Sequence, residues 1–157
     1  MNMTDTFEMF LETADETEKD FISEIHGYLT EKGCKCSVKT AKSGYVVSYI
    51  RENGKTLANY VMRKSGIKMR LYCPNIGSYQ AVPGDISPKL KKDIIKATDC
   101  KKLNGMECSP NCSGGYMFEM DGELYKKCRS MAFMPAVCRE NYDFIRIMLE
   151  NELAFGQ

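Results

Sequence analysis

The chain has 157 residues, 43% of them hydrophobic and 27% charged, a balance that suits one folded domain with its own core and excludes a disordered segment. No apolar run approaches the ~18 residues that a membrane span needs, so no membrane partner is expected. The formal net charge is only +1, but it is unevenly spread: residues 1–32 carry nine acids and two bases, whereas residues 33–102 carry fifteen bases and four acids.

Residues 5–13 have Phe7, Phe10 and Leu11 at helical spacing. A longer helix is predicted from about Asp15 to Lys32, where Phe21, Ile22, Ile25, Tyr28 and Leu29 form one stripe and Gly33 is a natural stop. His26, the single histidine in the sequence, lies beside that stripe. With no second histidine or nucleophile motif near it, it reads as a polar helix-face residue, which disfavours Ser-His and Cys-His catalysis. The opening stretch is acidic and lacks the basic start and apolar middle of an export signal, so a cytoplasmic, reducing location is expected.

Three strands are predicted next. The first begins near Cys36–Thr40 and is strongest over Tyr45–Ile50, the second covers Thr56–Met62, and the third covers Ile67–Tyr72. Asn53-Gly54 marks the turn between the first two. The third strand alternates, with Ile67, Met69 and Leu71 on one side and Lys68, Arg70 and Tyr72 on the other. Such alternation means one packed face and one that is wet or lines a groove, which makes Lys68, Arg70 and Tyr72 the candidate ligand-groove residues. An ordinary polar sheet face is the competing explanation. Residues 74–84 are rich in turn formers and read as a surface loop. Ser87-Pro88 then caps a helix that ends near Asp99, with Leu90, Ile94, Ile95 and Ala97 directed inward. Arg129–Arg139 reads as a linker, and a final helix runs from Asn141 to about Leu153.

The stretch from Cys100 to Cys128 holds four of the eight cysteines. Asp121-Gly122 between two strand-like runs predicts a two-residue hairpin turn, because both positions favour positive φ. In that register Met120 faces Glu123 and Gly115 faces Cys128, so Cys108, Cys112 and Cys128 gather at the open end, and Cys100 arrives there from the preceding helix. Four thiolates suit a tetrahedral structural zinc, so Cys100, Cys108, Cys112 and Cys128 are the candidate metal ligands, with Cys138 as the alternative to Cys100. Buried free thiols and disulfides are the competing readings, and iron also accepts four thiolates. Cys34, Cys36 and Cys73 read as free thiols.

Residues from about 7 to 98 resemble the YdhG/YjbR-like group of small bacterial domains. The most similar stretches are Asn53-Gly54-Lys55-Thr56-Leu57-Ala58-Asn59-Tyr60-Val61 and Gly66-Ile67-Lys68-Met69-Arg70-Leu71-Tyr72, followed by the helix at 88–98. The resemblance covers a little over half the chain. It implies an α+β fold, an antiparallel sheet with helices on one side, and it carries no catalytic residues across. The expected organisation is a single domain: an α+β core over 7–98, a cysteine-rich hairpin over 99–139 and a helix over 140–154.

No P-loop, GxGxxG, HExxH or GxSxG pattern is present, so nucleotide hydrolysis, metalloprotease and hydrolase chemistry lack a starting point. The sequence therefore points to a non-catalytic zinc-stabilised module that binds a small molecule or a protein through its sheet. Two alternatives stay open. One is a redox sensor or enzyme using Cys108 or Cys112 beside Lys101, Lys102 or Arg129. The other is nucleic-acid binding through the basic middle, a partner that the acidic first helix and the scarcity of aromatics among the lysines disfavour.

Overall fold

The computed structural model describes residues 3–42, 44–64, 66–76, 86–107 and 114–154, so most of the predicted 74–84 loop lies outside the described residues. Two helices open the chain, α1 (Met3–Leu11) and α2 (Glu16–Glu31). α2 buries Phe21, Ile22, Ile25 and Leu29, the stripe that a 3.6-residue period sets on one side. It ends where Gly33 takes φ 94°: the Gly33 N–H donates to Thr30 O at 3.1 Å and the Cys34 N–H to Leu29 O at 3.0 Å. This bond pair is the Schellman ending, which needs a left-handed residue at that point.

Four strands follow: β1 (Lys35–Ala41), β2 (Gly44–Ile50), β3 (Thr56–Arg63) and β4 (Gly66–Leu71), paired antiparallel in chain order. The sequence predicts three strands over this region. The fourth arises because the stretch read as one strand folds back, with Ala41 opposite Gly44. Gly44 has φ 129°, and a Cβ there would run into the Met62 sulfur, so this reversal requires glycine.

Register assigns the two faces. Cys36, Tyr49, Ala58 and Leu71 lie on one line across the sheet, and Val38, Val47, Tyr60 and Met69 on the next. All but the half-buried Val38 are buried, and α1 packs on them: the Phe10 ring lies 5.4 Å from that of Tyr60 and meets Tyr45 edge-on at 6.5 Å. Each such large side chain taken from water contributes about 1.5–3 kcal/mol. The opposite face carries Ser37, Ser48, Asn59 and Arg70 on one line and Lys39, Val46, Val61 and Lys68 on the next.

After β4 come α3 (Pro88–Lys96), the hairpin of β5 (Tyr116–Met120) and β6 (Glu123–Lys127), a short 3-10 turn at Arg139–Asn141 and α4 (Tyr142–Ala154). α3 starts as its sequence predicts, with the Leu90 N–H donating to Ser87 Oγ at 3.2 Å and proline in the first turn. α4 lies beside α2, where Tyr142 stacks flat on Phe21 at 3.8 Å and Arg146 pairs with Glu24 at 2.7 Å.

Arg129–Arg139 is not a linker. Leu71 N–H donates to Phe133 O at 2.9 Å, Met69 N–H to Pro135 O at 3.0 Å, and Val137 N–H to Ile67 O at 2.9 Å. The segment thus lies antiparallel along the outer edge of β4 and covers it. Pro135 is tolerated because this position supplies only a carbonyl. Phe133, fully buried, ties the pieces together: its ring lies 5.0 Å from Phe118 of β5, 6.1 Å from Tyr116 and 6.2 Å from Phe144 of α4.

Candidate functional site

The hairpin has the predicted turn and register. Asp121 takes φ 54° and Gly122 φ 80°, Met120 faces Glu123, and Tyr116 faces Lys127. Gly115 and Cys128 are therefore the next pair outward, at the open end. The chain leaving α3 docks on β6: Asp99 bridges to Lys127, the Cys100 N–H donates to Lys126 O at 2.9 Å, and the Cys128 N–H donates to Thr98 O at 2.7 Å.

Lys127 fixes this junction. Its side chain is only 8% exposed, and its ammonium donates to Ile95 O at 2.8 Å, Ala97 O at 3.0 Å and Asp99 Oδ1 at 2.8 Å. It thereby satisfies carbonyls at the negative end of α3 while holding Asp99, one residue before Cys100. The Cys100 sulfur then accepts the Gly115 N–H at 3.2 Å. Any side chain at 115 would collide with Lys127 O and sit 2.7 Å from Cys100 Cβ, so glycine is what allows this approach.

Cys100 and Cys128 are thus brought to one end of the hairpin, on adjoining backbone segments. Cys108 and Cys112 lie outside the described residues, and among the described residues no group of three or more His, Cys, Asp or Glu side chains gathers. Cys138 sits elsewhere. Cys128 precedes the edge segment near the end of β4, whereas Cys138 follows Val137, which pairs with Ile67 at the start of β4, and its carbonyl accepts the Asn141 N–H at 2.9 Å. Cys138 is therefore not placed to replace Cys100.

The remaining cysteines have a different setting. Cys34, Cys36 and Cys73 are buried free thiols. Burial pushes the Cys34 thiol up and the Cys36 thiol to about 11, so both are held protonated and unreactive. Near Cys36 is a contact that the sequence does not reveal: His26 Nδ1 lies 3.0 Å from the Tyr49 hydroxyl, with the imidazole stacked at 3.8 Å on Phe7. His26 is a half-buried packing residue with a specific partner across the α2–β2 interface.

The groove candidates all lie on or beside β4. Lys68 and Arg70 line a hollow of about 490 Å³ with Arg63, Lys64, Met131 and Met134. Tyr72 lines a second cleft of about 570 Å³, together with Lys55, Thr56, Pro74, Gly114, Gly115, Tyr116 and Arg129. The Arg129 guanidinium lies 5.9 Å from the centre of the Tyr72 ring, a cation–π contact. Tyr116 faces inward, where its hydroxyl accepts the Cys73 N–H at 2.8 Å and burial pushes its pKa up. Arg129, Met131 and Met134 were missed as groove residues because the segment carrying them reads as a linker; its hidden signal was the apolar alternation of Phe133, Pro135 and Val137.

A buried ion pair closes the far side of this region. Arg51 at the end of β2 meets Glu152 of α4 at 3.8 Å, and Asn75 donates to both carboxylate oxygens, from its backbone and side-chain nitrogens, at 2.9 Å each. The pair secures α4 to the end of the sheet next to the Tyr72 cleft. Among the described residues no helix is long and apolar enough to cross a membrane. Comparisons with family models, with curated proteins and with solved structures give no match, so the YdhG/YjbR-like resemblance stands on its sequence stretches alone and the site is read from its own geometry.

Proposed function

We propose that the chain is a non-catalytic, cytoplasmic binding module in which a structural zinc, held by Cys100, Cys108, Cys112 and Cys128, pins the hairpin while the open face of the sheet takes a small ligand or a protein. The observation that carries the reading is the Cys100 sulfur accepting the Gly115 N–H at the open hairpin end, one residue beyond the last pair, Tyr116 with Lys127, after which Cys128 follows on the other strand. A backbone N–H donor of this kind fixes the direction of the sulfur, as outer-shell hydrogen bonds do for metal ligands. Four protein ligands would close the coordination shell, leaving no position for an activated water, so the ion would supply folding free energy.

Native mass spectrometry with elemental analysis, on protein purified without added metal, tests this directly. One zinc per chain, with four thiols becoming titratable on chelation, is the expected result. Iron in its place would keep the ligands and change the metal. A metal-free protein would remove the proposal, and a disulfide formed within 100–128 would favour the redox alternative.

A further inference from the structure

β4 sends Ile67, Met69 and Leu71 into the core, which leaves Lys68, Arg70 and Tyr72 in a row on the opposite face. Alternate residues of a strand lie about 6–7 Å apart, so this row repeats at the spacing of alternate side chains in any extended peptide. The hollow at Lys68 and Arg70 is lined by four cations and two methionines; Asp93 of α3, paired with Lys89 at 3.5 Å, is the acid nearby, in an adjoining hollow that shares Lys68, Met131 and Met134. The adjoining Tyr72 cleft adds Lys55 and Arg129. None of these six cations takes part in an ion pair among the described residues.

The charge is also held in place. Arg70 Nε donates to Ser130 O at 2.9 Å and a terminal nitrogen lies 3.8 Å from the Met134 sulfur, which orders the guanidinium before any partner arrives. Met131 is 45% exposed beside it. Methionine offers an adaptable apolar contact, so the face combines positive charge with places for apolar side chains.

We propose that this face docks an extended, acidic segment of another polypeptide, its carboxylates on Lys64, Lys68 and Arg70 and its apolar side chains on Met131 and Met134. The inference rests on the reading of the open sheet face as a binding surface and names the partner's chemistry. Single-stranded nucleic acid fits less well, because such surfaces offer aromatic rings for bases to stack on, and here Tyr72 already lies against Arg129.

Fluorescence anisotropy on the full chain, using a labelled synthetic peptide of alternating Glu and Leu, tests the proposal. Saturable binding that weakens with added salt is expected, together with a roughly tenfold or greater loss of affinity in the Lys64→Glu/Lys68→Glu double variant. Met131→Ser should weaken the alternating peptide several-fold and leave an all-Glu peptide unaffected. Lys32→Glu, at the end of α2 on the covered side of the sheet, should change nothing, and circular dichroism of each variant shows that it folds. The proposal is overturned if the double variant binds as the parent does, if the all-Glu peptide binds as tightly as the alternating one, or if an oligothymidylate or an anionic vesicle binds while the peptide does not. Metal content measured on the same sample separates the two claims: a zinc-loaded protein that ignores the peptide sinks this one alone, and a folded metal-free protein that binds it sinks only the zinc.

Discussion

Around Tyr60 the sheet is held by burial, with Phe10, Val47, Tyr49 and Met69 closed off from water on one continuous face. Tyr116, Phe118 and Met120 bury the inner side of the hairpin in that same core, but around Gly115 its open end depends on a few directed ties: the Lys127 ammonium on α3 and the Cys100 sulfur on the Gly115 N–H, with Lys91 on Asp121 at the far turn. Burial spreads its contribution over many contacts and tolerates small errors in each. Directed ties concentrate it, so one substitution can release the backbone that carries Cys100 while the sheet stays folded.

The largest effect belongs to the burial side. Phe10→Ala removes a ring with no exposed surface from between Tyr60 and Tyr45, and a loss of about 3–5 kcal/mol is expected. Chemical denaturation should show it as a lower midpoint for the whole domain. A loss below about 1 kcal/mol would mean that α1 contributes little to the core.

Lys127→Met sharpens the contrast. It keeps most of the buried stem and removes three charge-assisted hydrogen bonds, for an expected loss of about 1.5–3 kcal/mol. The informative readout is local. Amide exchange should quicken at Cys100 and Cys128, whose N–H groups depend on the α3–β6 junction, and stay slow along β2 and β3. Uniform acceleration would mean that hairpin and sheet unfold as one unit.

These differences also separate what was legible in the sequence from what was not. The hairpin could be read residue by residue because Asp121-Gly122 accepts positive φ and an antiparallel register follows from the turn. The end of α2 was equally legible from Gly33. The split of the first predicted strand was missed although Ala41-Lys42-Ser43-Gly44 repeats the Lys-Ser-Gly pattern of Arg63-Lys64-Ser65-Gly66 between β3 and β4, because strand-forming residues on both sides of it read as one continuous run. The edge segment at 133–137 was missed for a different reason: its pairing with β4 spans more than sixty positions of sequence, and Pro135 argues locally against a strand. The candidate site divides in the same way, since Cys100 and Cys128 follow from local register, whereas Arg129, Met131 and Met134 join Lys68, Arg70 and Tyr72 only through that distant pairing.

Two tyrosines on the covered face make a smaller test of directed against non-directed stabilisation. Tyr49 has a partner for its hydroxyl in His26 at 3.0 Å, while the buried Tyr60 hydroxyl has none among the described residues. Tyr49→Phe should therefore cost about 1 kcal/mol, whereas Tyr60→Phe should be neutral or stabilising by up to about 1 kcal/mol, since it removes a desolvated hydroxyl. Thermal melts of the two variants side by side decide the matter, and equal losses would show that the Tyr60 hydroxyl is satisfied in solution.

The smallest expected effect is the pH dependence carried by His26. Burial between Phe7 and Tyr49 lowers its pKa below the ordinary 6.5, against a weaker upward pull from Glu8. Between those two values the unfolded chain binds the proton more fully than the folded one, so stability rises with pH across that window. The contribution is complete above about pH 6.5 and is lost as pH falls through the lowered value. Denaturation midpoints measured from pH 5 to 7.5 should climb, and His26→Gln should flatten that climb by removing the titrating group, whatever it does to stability at neutral pH. An unchanged slope in the variant would assign the climb to carboxylates, such as those of the acidic α1 and α2, and would mean that the imidazole is as easily protonated in the folded chain as in the unfolded one.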